Sequence, residues 1–550
     1  MLLNKPTTRH TNRRHWYAGI LALAVLLAGT PAAPGQDPPP PDDPNLLELF
    51  LPPGTIDGTG THLEITDSEY LNITLDSSEP VQVRLKSVPQ MVVMHIEAAE
   101  GATSTALTLG GFAPSTTYYK YEDDYHNGAA FTTDANGSYA YAQGLSGPHL
   151  VFIQPQAGTK FIPSDTTIGT WDPVTRTYTL TTDVYETIQI DEDNLTLDGA
   201  GHTVTGPGYG FGVFLSGRTG VTIRNLNVQQ LHVGFQLWNS SYITLTGNTA
   251  SNNNFGIWVA ANSHHNTLTG NTASYNRYGI ALEHAHDSTL IANAASNNRF
   301  GIFLSYGSTN NTLTDNTASD NEYGIDLTYS PNTTLTGNTM QGNRYNFGVW
   351  QLYVHNIDTS NTVDGKPIYY VVGASNATYG STANAGAFHA VSCDNITVED
   401  LTLTNNEMSL PLCNTTNSTV SGVAASDNLI GIQVLFSQGN TLTNNTTNSN
   451  DHCGIYMWSS GSNTLIDNTA SNNEIGILIG YNWNTVLTGN TMSGNRYNFN
   501  LSGRYDHNID TINTVDGKPI YYMVNASGET YDSSTNAGTF YAVTNRSGNG

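Results

Sequence analysis

One phrase returns along most of this chain. TGNTASNN and its variants place an Asn at 248, 271, 293, 316 and 338, in steps of 23, 22, 23 and 22, and again at 445, 468 and 490. A Gly-Ile pair follows most copies, as at Gly256-Ile257, Gly279-Ile280, Gly301-Ile302, Gly324-Ile325, Gly454-Ile455 and Gly476-Ile477. A period of this length allows two solenoids, a leucine-rich repeat or a parallel β-helix. Each repeat carries three short alternating runs, such as Thr267-Leu268-Thr269, Thr272-Ala273-Ser274 and Ile280-Ala281-Leu282. Alternation with period 2 means strands, and the Asn, Thr and Gly between them favour turns over helices. Three strands and three turns per coil predict an all-β, right-handed parallel β-helix. Stacking at about 4.8 Å per coil then places Leu245, Leu268, Leu290, Leu313 and Leu335 in one inward column. Ile257, Ile280, Ile302 and Ile325 form a second, with Val259, Leu282, Leu304 and Leu327 beside it. The repeated Asn should stack as a hydrogen-bonded ladder. Phe255, Tyr278, Phe300 and Tyr323 lie two residues before the inward Ile, so alternation alone points them inward as a core column.

A longer repeat overlies the short one. Residues 335–391 match 487–543 at a constant offset of 152, and both contain NTVDGKPIYY. The coil rhythm breaks at this motif, which predicts duplicated insertions near 351–386 and 503–538, with Asp364-Gly365 and Asp516-Gly517 as tight turns.

At the other end, Arg9, Arg13 and Arg14 precede an apolar run from Trp16 to Ala28 and small residues up to Ala33. This is the pattern of a secretory signal, and the run is too short to span a bilayer. Residues 1–33 are therefore predicted to be a signal peptide and 34–45, with PPPPDDP, a Pro-rich linker. Residues 46–155 read as a small β-sandwich of fibronectin or Ig type. Leu71–Leu75 and Val81–Leu85 alternate, and Phe112–Tyr118 resembles a tyrosine-corner stretch. Asp134-Ala135-Asn136-Gly137 reads as a hairpin turn; it matches a calcium loop only in part. The β-helix occupies 156–550.

The TWDPVTRTYTLTTDV, ETIQIDEDNLTLDGAGHTVTG and SGRTGVTIRNLNV segments, the NTLTGNTASNN coils and NTVDGKPIYY together resemble the NosD-like right-handed β-helix family over about 165–550. The resemblance implies an exported β-helix of the carbohydrate-binding or sugar-hydrolase type, common among prokaryotic and often archaeal surface proteins. The family name refers to copper-site maturation of a periplasmic reductase. The tandem coils look more like the surface proteins than like that accessory factor.

Charge narrows the partners. Of the 550 residues, 19 are Lys or Arg and 45 Asp or Glu, a net charge of −26. Nucleic acids are excluded as partners, since they require clustered basic residues, and anionic membranes repel such a chain. No membrane span is expected after signal removal. Polysaccharide or cell-envelope glycans remain. Residues between the two inward positions of the Gly-Ile strand must point outward. That column runs Gln236, Trp258, Ala281, Phe303, Asp326 and later Gln433, Tyr456, Leu478. Trp258, Phe303 and Tyr456 are candidate sugar-stacking residues, with Asp326 and Glu283 accepting sugar hydroxyls.

Other groups suit other chemistry. Coil alignment sets His264 over His286 and His265 over Asp287, so His264, His286 and Asp287 are candidate copper or zinc ligands. Copper or calcium is thus left open as a cofactor. Asp198 and His202 sit in a turn sequence, where an acid–base role lacks a visible partner. Cys393, Cys413 and Cys453 read as buried thiols. No catalytic pair of carboxylates is visible in the sequence. The leading expectation is an exported, non-catalytic surface β-helix that binds glycans or builds the envelope. A polysaccharide lyase, epimerase or hydrolase is the alternative, and a periplasmic copper-handling accessory protein the second.

Overall fold

The computed structural model describes residues 54–88, 90–155, 158–350, 355–503 and 506–543. The predicted signal peptide and linker lie outside the described residues. The chain divides into two compact units, 1–157 and 158–550. The described residues contain strands and two short 3-10 turns but no α-helix.

The first unit has eight strands in one antiparallel sheet. Thr74–Val88 is shared between two layers. Its first half pairs with Ser104–Gly110, and its second half with Met91–Ala98. At 15 residues this strand is long enough to serve both layers of the sandwich. Leu75, Val83, Leu85, Met94, Ile96, Leu107 and Val151 fill the core. The hydroxyl of buried Tyr118 accepts from Ala113 N at 3.4 Å. Asp134 Oδ1 accepts from the Asn136 and Ser138 amides, both at 2.8 Å, and so forms a turn. Gly137 closes it at φ 76°, where any side chain would meet the Phe112 carbonyl.

The second unit is a parallel β-helix of about sixteen coils. A typical coil holds Thr267–Thr269, Thr272–Ser274 and the six-residue Tyr278–Glu283. The Leu column pairs in register from Leu245 through Leu268, Leu290 and Leu313 to Leu335. The Ile and Val/Leu columns pair likewise, and all are buried. Polar columns hold the corners. Asn248, Asn271, Asn293, Asn316, Asn338 and Asn361 pass Nδ2–Oδ1 hydrogen bonds of 2.8–3.1 Å along the stack. A second ladder runs through Asn253, Asn276, Asn298, Asn321 and Asn343. Each amide of these two ladders is buried and hydrogen-bonded, so the ladders stay dry at little polar cost.

The VDGKP motif is a splice rather than an excursion from the coils. Asp364 and Gly365 both have positive φ, 46° and 76°. They reverse Thr362–Val363 into Lys366–Val372, which then pairs in parallel with Ala387–Val391. The sheet of Thr-Ala-Ser strands thereby continues as the Gly-Ile-type sheet of the second stack, a single sheet of fifteen strands. The other two sheets end here, at Tyr345–Trp350 and His355–Ile357. The β-helix is thus built as two stacks sharing one sheet. Asp516-Gly517 repeats the turn.

Candidate functional site

The six-residue strands carry the most chemically varied face. Their register sets Gln236, Trp258, Ala281, Phe303, Asp326 and Gly348 in one outward column. Gln433, Tyr456 and Leu478 line up likewise in the second stack. The positions are as the periodicity predicts, but the expected exposure is not. Trp258 and Tyr456 are each 1% exposed, Asp326 and Glu283 each 5%, and only Phe303 is half-buried. Trp258 stacks on Phe255 at 4.5 Å between centroids, meets His232 edge-on, and donates Nε1 to Glu283 Oε2 at 3.2 Å. A large ring gains more by removing its area from water and pairing its N–H than by standing free.

This stacking also corrects the side assigned to the aromatic column. Trp258 lies between inward Ile257 and Val259, so it faces outward, and Phe255 lies beside it. The alternation reverses at Gly256, where a Cβ would sit 2.6 Å from the Gly279 carbonyl oxygen. Phe255, Tyr278, Phe300 and Tyr323 therefore form an outer ladder, with centroids 4.6–5.0 Å apart. Arg277 and Arg299 lie 5.8 and 5.6 Å from the Tyr278 and Phe300 rings.

Where the two stacks meet, the fold brings together residues distant in sequence. Glu407 N donates to Phe347 O, and Trp350 Nε1 donates to Glu407 Oε1 at 2.6 Å. Gly348 leaves room for the Glu407 carboxylate, which a Cβ at this position would push aside. Asp326, which accepts from Thr328 Oγ1 at 2.8 Å, interacts electrostatically with Glu407. Burial pushes Asp326 up to about 7. Glu407 is raised well above the ordinary carboxylate range by burial, then by the Asp326 charge. Such a pair holds a proton near neutrality. Beside it, Arg344 Nη2 and the Tyr345 hydroxyl both bond Asp451. The pair joins residues 81 positions apart in sequence, and no local pattern announces it.

Of the expected copper ligands, His264 and His286 do pair across adjacent coils. They gather no third ligand. His286 Nδ1 contacts Thr309 Oγ1 at 2.9 Å, and Asp287 Oδ1 accepts from Asn310 Nδ2 at 3.1 Å. Burial lowers the His286 pKa. His202 Nδ1 approaches Asp183 at 3.3 Å, while Asp198 accepts from Arg224 at 2.9 Å, so the two do not form a dyad. Cys393, Cys413 and Cys453 are free and buried. Among the described residues, the one group of three His, Cys, Asp or Glu side chains close enough to share an ion is Glu122, Asp123 and His149, in the first unit.

No curated protein matches the chain. Among solved structures, the catalytic domain of a GH87 α-1,3-glucanase is 11% identical, covers 84% of this chain and 96% of its own, and has a TM-score of 0.24. A mannuronan C-5 epimerase A-module from Azotobacter vinelandii is 14% identical, covers 60% and 90%, and has a TM-score of 0.22. DFA-IIIase from Arthrobacter chlorophenolicus A6 is 12% identical, covers 46% and 66%, and has a TM-score of 0.27. A family model described as periplasmic copper-binding protein (NosD) matches residues 186–366 and 353–541. Within that span, the described residues do not assemble the three or more His, Cys or carboxylate ligands of a protein copper site. The family itself is nonetheless unambiguous from the length of the match, which takes in both stacks and their splice: the chain belongs to the NosD family of periplasmic copper-binding proteins.

Proposed function

We propose that this protein is an extracytoplasmic, non-catalytic scaffold that binds a neutral polysaccharide along the flat flanks of its β-helix. The observation that carries this reading is the outer face of the narrow sheet. Thr244, Thr267, Thr289, Thr312 and Thr334 pair in one half-buried column. Thr246, Thr269, Ile291, Thr314 and Thr336 form the next. The hydroxyls repeat about every 4.8 Å along the stack and about 6.6 Å across it. They offer donors and acceptors to sugar hydroxyls, with methyl groups between. Across these five coils neither column contains a charged residue. The net charge of −26 favours a neutral glycan over an acidic one. A family described as periplasmic supports the location. Among the described residues no helix is long and apolar enough to cross a membrane.

The burial of Trp258, Tyr456, Asp326 and Glu283 moves the reading away from that face and onto the flanks. Affinity electrophoresis through gels containing neutral or acidic polysaccharides tests it. Retardation is expected in a neutral gel and should be lost when Thr267→Lys and Thr312→Lys are combined. Equal mobility in every gel, or retardation unchanged in the double variant, refutes it. The Asp326–Glu407 pair favours a second reading as a glycoside hydrolase, which requires two carboxylates. Release of new reducing ends that stops in Glu407→Gln would establish that reading instead.

A further inference from the structure

In the first unit, three side chains bring one ligand atom each to a common point. Glu122 ends the strand Thr117–Glu122, Asp123 follows it, and His149 opens His149–Gln154. Neighbours in a regular strand point to opposite faces. Here the register shifts after Tyr121, and Asp123 turns through φ 62°, so both carboxylates reach the same imidazole. His149 Nδ1 lies 2.8 Å from Asp123 Oδ2 and 3.5 Å from Glu122 Oε1. The other oxygen of each carboxylate is held by the chain. Leu150 N donates to Asp123 Oδ1 at 2.8 Å, and Lys120 Nζ to Glu122 Oε2 at 3.0 Å. Outer partners of this kind orient metal ligands.

An independent observation comes from Gln143, which is 0% exposed. Its Nε2 donates to the same Glu122 oxygen at 3.1 Å and to Gly144 O at 3.0 Å, while its Oε1 has no hydrogen-bond partner. His149 Nε2 is likewise buried without one. Buried polar atoms are ordinarily satisfied. Turning the Gln143 amide over sets Oε1 beside both Glu122 Oε1 and the Gly144 carbonyl oxygen, so a cation held between the side-chain oxygens must offset the two amide hydrogen bonds given up.

We propose that Glu122, Asp123 and His149, with Gln143 as a fourth donor, bind a divalent d-block cation of the Zn2+ class. One imidazole nitrogen among carboxylate oxygens suits zinc better than the all-oxygen shells of calcium or magnesium. Metal–ligand bonds of about 2.0–2.2 Å place tetrahedral ligand atoms about 3.4 Å apart. The Glu122–His149 separation already fits, and the Asp123–His149 contact must open by about half an ångström. All three ligands are partly exposed, which gives an ion a path from solvent. The site lies outside the residues matched by the family model.

The test is calorimetric titration of the metal-stripped full chain with Zn2+. One saturable equivalent is expected. Its affinity should fall at least tenfold in Glu122→Gln and in His149→Gln, and should not change when His264→Ala and His286→Ala are combined. Zinc should also raise the melting temperature of the wild type, since an ion that binds only the folded state stabilises it. Circular dichroism identifies any variant that fails to fold, and Glu122→Gln, which keeps the side chain's shape, then decides. Absence of a saturable equivalent in the wild type overturns the proposal. So does an equivalent that survives both single variants, or one that is lost only with the paired histidines.

Discussion

Asn293→Ala removes one rung from the middle of a six-residue ladder. The side chain donates to Leu268 O at 2.8 Å and Asn316 Oδ1 at 2.9 Å, and accepts from Asn271 N and Asn271 Nδ2, each at 3.0 Å. Surface burial does not compensate the loss, because all these groups lie away from water. A buried donor left unmet costs about 1–3 kcal/mol, and here the Asn271 amide and side chain both lose their acceptor, so the substitution should cost about 3 kcal/mol. A solenoid unfolds as a near one-dimensional array, so the damage should stay close to the altered coil. Hydrogen exchange followed by mass spectrometry reads this directly. Peptides spanning 266–316 should exchange about a hundredfold faster, the factor that 3 kcal/mol corresponds to. The equivalent ladder of Asn445, Asn468 and Asn490 in the second stack should be unaffected and serves as an internal reference. Unchanged protection at 266–316 would refute the reasoning, as would an equal acceleration in both stacks, since either shows that the rungs do not carry local stability.

Trp258→Ala empties a fully buried site and takes an indole donor from Glu283; it should cost roughly 3–5 kcal/mol while leaving polysaccharide retention intact, and a normal melting temperature with retention abolished would return the outer face to candidacy as the glycan site. Asp326 is held near 7 by burial, so the folded chain keeps its proton more tightly than the unfolded chain, and its contribution to stability is full at low pH and lost as pH rises through about 7. Buried His389, pushed down to about 3, and His452, pushed down to about 4, act with the opposite sign, and their gain, complete only about one pH unit above the unfolded value of about 6.5, is common to the wild type and an Asp326 variant. Between pH 6.5 and 8 Asp326 alone should account for about 1 kcal/mol of lost stability, so melting curves should show Asp326→Asn gaining about that much on the wild type across the window, and an unchanged difference between the two would refute the assignment.

Much of the β-helix was legible in the sequence because each coil repeats the same local code. Leu268 and Ile280 occur once per period with the parity of a strand, and Asn271 marks a corner wherever it recurs. The parity rule failed at Phe255 because a strand need not alternate through a glycine: Gly256 packs against the next coil's backbone and reverses the count. The exposure of Trp258 was misjudged for a related reason, since column positions specify which way a residue points and not what it packs on. Asp326 and Glu407 meet only because one sheet passes through the splice while two others stop, a consequence of strand pairing over 81 residues. Glu122, Asp123 and His149 belong to a unit without a repeat, where a bulge and a positive φ bring adjacent carboxylates to one ring. No period signals such an arrangement.

The splice at Asp364-Gly365 makes length a heritable variable. The strand that leaves the turn enters the sheet as a regular member, and the same turn recurs 152 residues later at Asp516-Gly517. Duplication of one unit therefore needs no new packing solution, because the incoming edge of each stack meets the same backbone rim as the one before it. The unit between the two turns brings seven of the fifteen strands of the shared sheet, a length of roughly 34 Å at about 4.8 Å per strand. Recombination between such units can thus set how long the helix grows without altering the chemistry of any coil.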